Sequence, residues 1–130
     1  MNSYERKTPE DLDCGLRVFG KVLGAKWKTC IMAALKQGDR RPSEIHRRFD
    51  SVTPRVLDMQ LSELEAYGMV SKRIYPGFPL RVEYFLTEMG ASALPVIEQM
   101  DRWGSTHADS VKTIARRQSI ALQRETPAEK

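Results

Sequence analysis

Residues 53–68 constrain how this chain can fold more than any other stretch, because they carry both ends and the packed face of a helix. Thr53 is a preferred helix cap, and Pro54 suits the first helical position, where its missing N–H group costs nothing. Gly68 can adopt the positive φ that often follows the last helical turn. Between these ends, leucines at i, i+4 and i+7 form one apolar stripe. They are Leu57, Leu61 and Leu64. The pattern predicts a helix that packs on one side and offers the other side to a partner.

The side of this helix that faces away from the leucine stripe carries Arg55, Met59 and Ser62, and Gln60 lies at its shoulder. A guanidinium group can pair with guanine, and a carboxamide with adenine, in the major groove of DNA. Arg55 and Gln60 are therefore the candidates for base contacts, and Met59 and Ser62 for apolar and water-mediated contacts. The alternative is that Arg55 and Gln60 only solvate the helix. Asp58 and Glu63 repel phosphate, so we expect them to face a base edge or another subunit.

A shorter predicted helix precedes this stretch, and a predicted hairpin follows it. Ser43 is a good cap for a helix over residues 44–49, and the next three residues form a turn. A short helix, a turn and a longer helix with a polar outer face form a helix-turn-helix arrangement. After Gly68 the apolar pattern changes to alternation, so residues 69–75 and 80–86 are predicted to pair as two strands. A hairpin beside a helix-turn-helix is a wing.

Two helices are predicted before the helix-turn-helix. The first starts near Asp13, its expected cap, and ends at Gly24. Its apolar residues spread over more than one side, so its second side is buried either in the core or against a second subunit. The second helix covers residues 26–37, with Trp27 as an anchor of the core.

The last helical region is predicted to start at Thr87 and to run to about residue 124, with a break near Gly104. Pro95 lies inside it, so either the proline kinks the helix or the helix proper begins close to the proline. Large side chains recur along this region at helical spacing, and one domain of this size has little core left to bury them. They are Leu94, Ile97, Met100, Trp103 and His107. A second subunit would bury them.

Positive charge is concentrated around the predicted helix-turn-helix, in a chain with a net charge of +4. Arg40 and Arg41 precede it, and Arg73 and Arg81 flank the turn of the predicted wing. Such cations are typical of contacts to the DNA backbone, which hold a protein without reading the sequence. The alternative for each is a solvated surface charge. Two hydroxyl groups complete the candidate DNA contacts, those of Ser43 and Thr53.

The remaining features argue against several classes of protein. No apolar run reaches the roughly 18–20 residues that a membrane span needs, and the N-terminus lacks the apolar core of a signal peptide, so a cytoplasmic protein is expected. No nucleophile with its base, phosphate-binding glycine loop or carboxylate pair is evident, so we expect no enzyme, and neither a cofactor nor a metal.

The fold class is predicted to be α+β and mainly helical, a winged helix-turn-helix with a β-hairpin wing. We expect a flexible N-terminal arm at residues 1–12 and the winged helix-turn-helix domain at residues 13–108. A C-terminal helical extension and tail follow at residues 109–130, with disorder in the last residues.

Four segments together match a known family in their order and separations. They are GAKWK at residues 24–28, RRPSEI at 40–45, LSELEAYGMV at 61–70 and RVEYFLTEMG at 81–90. Over roughly residues 14–107 the chain resembles the HxlR-type winged helix-turn-helix transcriptional regulators of bacteria, within the MarR-like superfamily. The resemblance implies a cytoplasmic homodimer, joined through N- and C-terminal dimerisation helices, that binds double-stranded DNA at an inverted-repeat operator. We interpret the chain as a regulator that blocks RNA polymerase as a repressor, or less often recruits it.

The resemblance also implies a role for Cys14, which matches a cysteine common near the start of such proteins. Cys14 would make the regulator responsive to oxidants or electrophiles, that is, to a small reactive effector. A reactive thiol needs a nearby cation or a helix start, and Arg17 and Lys21 are the local cations. The alternative is that Cys14 is a passive small residue. For the whole chain, the alternative is a winged-helix protein–protein interaction module without direct DNA readout, although the cationic flanks favour DNA.

Overall fold

Six α-helices and one antiparallel pair of strands make up residues 12–125, the part of the chain that this computed structural model describes. The helices are α1 (Gly15–Leu23), α2 (Lys28–Lys36), α3 (Pro42–Arg48), α4 (Pro54–Ala66), α5 (Glu88–Ser92) and α6 (Leu94–Glu125), and the strands are β1 (Val70–Tyr75) and β2 (Arg81–Leu86). The predicted class, a mainly helical winged helix-turn-helix with a hairpin wing, is therefore confirmed.

The described residues form two compact units that divide between Leu94 and Pro95. The first unit holds α1 to α5 and the hairpin, and the second consists of α6 from Pro95 onward. The predicted domain boundary after residue 108 stays a prediction, and α6 runs through that position as one helix. Residues 1–11 and 126–130, which include most of the predicted arm and the end of the tail, lie outside the described residues.

The ends of α4 follow from its local sequence. The Thr53 hydroxyl accepts a hydrogen bond from the Val56 N–H at 3.2 Å, and Pro54 occupies the first helical position. At the other end Gly68 has a φ of 76°, and its N–H donates to the Glu65 carbonyl at 2.9 Å. The Met69 N–H also donates, to the Leu64 carbonyl, which completes a Schellman motif. Both predicted ends of this helix are confirmed.

The leucine stripe of α4 lies at the centre of the core of the first unit. Leu57, Leu61 and Leu64 are buried, and α4 contacts α1, α2, α3 and β1. Burying a side chain of this size stabilises the fold by about 1.5–3 kcal/mol. The other large buried apolar side chains of this unit include Leu23, Ile31, Met32, Leu35, Ile45, Val52, Met69, Val70 and Tyr84. The outer face of α4 thus belongs to a helix that is held along its opposite side.

The starts of α1 and α3 differ from the prediction. Cys14, not Asp13, is the N-cap residue of α1, and α3 begins at Pro42, one residue before Ser43. Proline is favoured at the first helical position, so it takes that place and leaves Ser43 inside the first turn. Glu44 acts as the glutamate of a capping box. Its carboxylate accepts the N–H groups of Arg40 at 2.7 Å and Arg41 at 3.0 Å, just before the helix.

The helix predicted from residue 26 begins only at Lys28, with Trp27 as its N-cap residue. Trp27 is half-buried, and the centre of its ring lies 5.8 Å from that of Phe49. The tryptophan thus packs beside the end of α3, just ahead of the helix in which we expected it.

The wing is joined to the helices at its open end. β1 and β2 pair with Val70 opposite Leu86 and Tyr75 opposite Arg81. The Thr87 N–H donates to the Met69 carbonyl at 3.1 Å, and a Cβ on Gly90 would lie 2.0 Å from the same carbonyl oxygen. This close approach requires glycine at position 90.

The helical region after the wing is divided at Ala93, two residues before Pro95, and not at Gly104. Thr87 caps only the short helix α5, with its hydroxyl accepting the Gly90 N–H at 3.0 Å. α6 begins next to Pro95, which matches the predicted alternative that the helix proper starts close to the proline. Gly104 lies inside α6 without a break, because one glycine costs a helix only about 1 kcal/mol.

Candidate nucleic-acid interface

The outer face of α4 presents three of the four predicted reading residues. Arg55, Met59 and Ser62 are exposed, and Arg55 lies in the first turn. Recognition helices of helix-turn-helix proteins contact base edges mainly with residues near their N-terminus. These three side chains are therefore available to a partner, and α3 packs beside them as the first helix of the motif.

Gln60 does not share this exposure. Its relative exposure is 6%, and its Oε1 has no hydrogen-bond partner among residues 12–125. Gln60 lies three residues after Leu57 and four before Leu64, so helical periodicity carries its side chain to the packed side. The interpretation of Gln60 as a base-contacting side chain is corrected accordingly, since such a contact needs an accessible carboxamide.

Glu63 faces a cation within the protein, which differs from our expectation. Its carboxylate lies 2.8 Å from the ammonium group of Lys28 at the start of α2. An isolated buried ammonium group is strongly disfavoured, so a lysine that is removed from water needs a partner of this kind. Lys28 and Glu63 are 35 residues apart in the chain, so no local sequence pattern predicts this ion pair.

The Arg40 side chain makes its contacts within the protein. One guanidinium nitrogen donates to the carbonyls of Leu35 at 3.0 Å and Asp39 at 2.8 Å, and the group lies 5.1 Å from the centre of the Phe85 ring. The backbone carbonyl of Arg40 accepts a hydrogen bond from the Tyr84 N–H at 2.7 Å. Arg40 therefore joins the end of α2 to β2, and its candidacy as a phosphate contact is weakened. Arg41, in contrast, is exposed.

The two arginines of the wing lie against its own aromatic rings. The guanidinium of Arg73 lies 4.7 Å from the centre of the Phe85 ring, and that of Arg81 lies 4.3 Å from the Tyr75 ring. Arg81 also approaches Glu83 at 3.5 Å. Stacking against a ring orients a guanidinium group while leaving its in-plane N–H groups able to donate. Both arginines are exposed and remain available to an anion.

Two charged groups at the ends of α3 have shifted pKa values. The N–H groups of Arg40 and Arg41 lower the pKa of the Glu44 carboxyl, because they donate to its charged form. The Asp39 carboxylate raises the pKa of Arg48, to which it is hydrogen-bonded. Asp39 therefore engages Arg48, whereas Arg47 on the same helix is exposed.

Cys14 is exposed at the start of α1. As the N-cap residue it accepts the N–H groups of Arg17 and Val18 at its carbonyl, each at 3.0 Å. The first turn of α1 contains no acidic side chain. Cys30 is half-buried in α2.

Residues 12–125 contain no group of three or more His, Cys, Asp and Glu side chains that is placed to hold a metal ion. Over the same residues, every helix is too short or too polar to span a membrane.

The sequence is similar to those of known helix-turn-helix transcriptional regulators. The family described as HxlR-like helix-turn-helix matches residues 22–112. A helix-turn-helix transcriptional regulator of Methanothermobacter thermautotrophicus is 40% identical over 94 residues, which are 72% of each chain. The regulator YybR of Bacillus subtilis is 36% identical over 113 residues, 87% of this chain and 90% of its own.

A solved structure agrees with these sequence comparisons. The redox regulator HypR in its reduced form aligns with a TM-score of 0.71 at 36% identity. The alignment covers 77% of this chain and 99% of that one. The chain thus belongs to the HxlR-like helix-turn-helix family, whose members are DNA-binding transcriptional regulators and not enzymes.

Proposed function

We propose that this transcriptional regulator is a homodimer that binds an inverted-repeat operator with α4 of each subunit in the major groove, and that it represses by blocking RNA polymerase. The observation that carries the proposal is the exposed face of α4, with Arg55, Met59 and Ser62, on a helix that is capped and buried along its other side. Side chains on such a helix bind with little loss of backbone freedom.

Arg55 is the proposed base-reading residue. Its position in the first turn of α4 and its exposure support a bidentate contact to guanine. Met59 supplies an apolar contact, for which the methyl group of thymine is suited, and Ser62 contacts DNA directly or through water. The proposed contacts to the DNA backbone come from exposed cations and hydroxyl groups. They are Arg41, Ser43, Thr53, Arg73 and Arg81.

The test of DNA recognition starts from duplexes selected from a random pool by the wild-type protein. We expect an enriched inverted repeat, and an affinity for it whose logarithm falls by about 0.9 per neutralised phosphate with the logarithm of salt concentration. Arg55→Glu should abolish the preference, whereas Arg124→Glu, a charge reversal in the last described turn of α6, should retain it. Selection without an enriched sequence would contradict the proposal.

The competing function is a winged-helix module that binds proteins without reading DNA. This function predicts that Arg55→Glu leaves the DNA sequence preference unchanged, because the wild type has no such preference. The exposed cations on either side of α4 favour DNA, since each neutralised phosphate releases counterions and adds affinity.

Dimerisation is proposed to use α1 and α6. Both helices expose large apolar side chains, which a second subunit would remove from water. They are Leu16 and Val18 on α1, and Met100, Trp103, Val111 and Ile114 on α6. Sedimentation should give the mass of two chains. Trp103→Glu should lower it to one, whereas Trp103→Phe should keep it.

A response to oxidants through Cys14 is the last part of the proposal. Its exposed thiol at a helix start supports it, as does the likeness to HypR, a redox regulator. Diamide removes two electrons and two protons from two thiols as they join in a disulfide, so Cys14 would pair with glutathione or with Cys14 of a second copy. Diamide with glutathione should release DNA from the wild type and not from Cys14→Ser. Equal release from both would exclude Cys14 as the switch.

A further inference from the structure

The tip of the wing is apolar and uncharged. Residues 74–80 read IYPGFPL and contain no charged side chain. Ile74 and Leu80 are more than half exposed, and Phe78 is completely exposed. Placing an aromatic ring of this size in water is unfavourable, so a fully exposed phenylalanine at the apex of a hairpin indicates a partner that covers it.

The charge of the wing lies behind this tip, along the two strands. Between residues 70 and 86 the chain has three cations and one carboxylate. Arg73 and Arg81 are held against the rings of Phe85 and Tyr75, and Lys72 lies 3.8 Å from Glu65 of α4. A partner that covers Phe78 therefore also meets the positive charges of Arg73 and Arg81 on the strands behind it. Such a surface is complementary to a polyanion that is charged outside and apolar inside.

The backbone of the tip is also restricted. Pro76 and Pro79 have fixed φ angles, and Gly77 between them has a φ of 137°. A loop with few alternative conformations loses little entropy when it is immobilised against a partner. The prolines thus restrict the backbone on both sides of Phe78.

We infer that Phe78 is an apolar wedge that enters the minor groove of the bound duplex and partly unstacks one base step, bending the DNA. Phenylalanine is among the side chains that proteins insert in this way, and pyrimidine–purine steps unstack most easily. The phosphates on both sides of the groove would meet Arg73 and Arg81. The inference rests on the proposed function, because it needs a duplex held by α4, and it adds a selection for deformable DNA at a position that α4 does not read.

The experiment uses the full chain and the duplex selected by the wild type, with 2-aminopurine placed at successive positions. We expect fluorescence to rise at one step when the wild type binds, and the complex to migrate as bent DNA. Phe78→Ala should remove both signals and weaken binding roughly 5- to 150-fold, the range expected for a lost aromatic–base stack. Phe78→Trp should keep them. Met89→Ala, which removes an exposed apolar side chain from α5, should change neither.

The possible failures are distinguishable. If Phe78→Ala binds the selected duplex as tightly as the wild type, with the same bend, the wedge is excluded and the regulator remains. If the wild type gives no fluorescence rise at any step, Phe78 does not unstack bases, whatever the affinity of its variants. If selection yields no preferred duplex, the proposed function and the wedge fail together.

Discussion

The ammonium group of Lys28 lies 2.8 Å from the Glu63 carboxylate, although the lysine side chain is only 6% exposed and the glutamate side chain 48%. The pair links the first residue of α2 to the outer part of α4. Because Glu63 compensates a cation of the same chain, its charge is partly cancelled next to the face that is proposed to meet DNA. A residue that appears unfavourable for binding a polyanion thus has a role in the fold.

Removing Glu63 should destabilise the protein, because Lys28 would be left buried without a partner. We expect Glu63→Ala to lower the free energy of unfolding by about 1–3 kcal/mol, less than for a fully buried pair since Glu63 is half exposed. Lys28→Met combined with Glu63→Ala should restore most of this loss. Urea unfolding measures the effect, with Asp58→Asn as an exposed control on the same helix. A double variant as unstable as Glu63→Ala would contradict this account.

Replacing Gln60 by leucine should preserve DNA binding and stabilise the fold. Its Oε1 is buried without a partner within residues 12–125, so a side chain of similar size without polar atoms removes an uncompensated desolvation cost of about 1 kcal/mol. The free energy of unfolding and the affinity for the selected duplex should be measured on the same preparation. A large loss of affinity with unchanged stability would show that Gln60 reads a base after all.

Glu44 should make stability depend on pH in acid. The pKa of its carboxyl is lowered from the ordinary value of 4.5 by the N–H groups of Arg40 and Arg41, so its contribution is present above the unfolded pKa. That contribution is lost as pH falls through the lowered, folded pKa. The stability difference between wild type and Glu44→Gln should be constant above about pH 6 and shrink below pH 4.5. A difference that stays constant down to pH 3 would exclude this linkage.

Two glycine-to-alanine substitutions should have opposite effects. At Gly90 a Cβ would lie 2.0 Å from the Met69 carbonyl oxygen, so Gly90→Ala should destabilise by roughly 2 kcal/mol or more. At Gly104 nothing lies within 4 Å of the added Cβ, and Gly104→Ala should stabilise α6 by about 0.5–1 kcal/mol. Thermal unfolding followed by far-UV circular dichroism compares them directly. Two destabilising substitutions would contradict the uninterrupted course of α6 at Gly104.

Much of the fold could be predicted because its signals are local. Thr53, Pro54 and Gly68 define the ends of α4 through hydrogen bonds to residues at most a few positions away. The leucine stripe follows from the helical period alone, and the alternation after Gly68 predicted the wing. Where two local signals competed, the prediction failed. At α3, Pro42 and not Ser43 determines where the helix begins.

The chemistry of the candidate site depended on contacts between residues far apart in sequence. Arg40 appeared equivalent to Arg41, but only the fold brings Phe85 beside Arg40. In the same way, the packing of the helices buries Gln60 and places Glu63 beside Lys28. The sequence by itself determined the ends and the packed face of α4, the helix that is proposed to read DNA, because capping and periodicity act within one or two turns. Only the tertiary structure decided which charges remain exposed, because burial and ion pairing depend on elements that meet after the chain has folded.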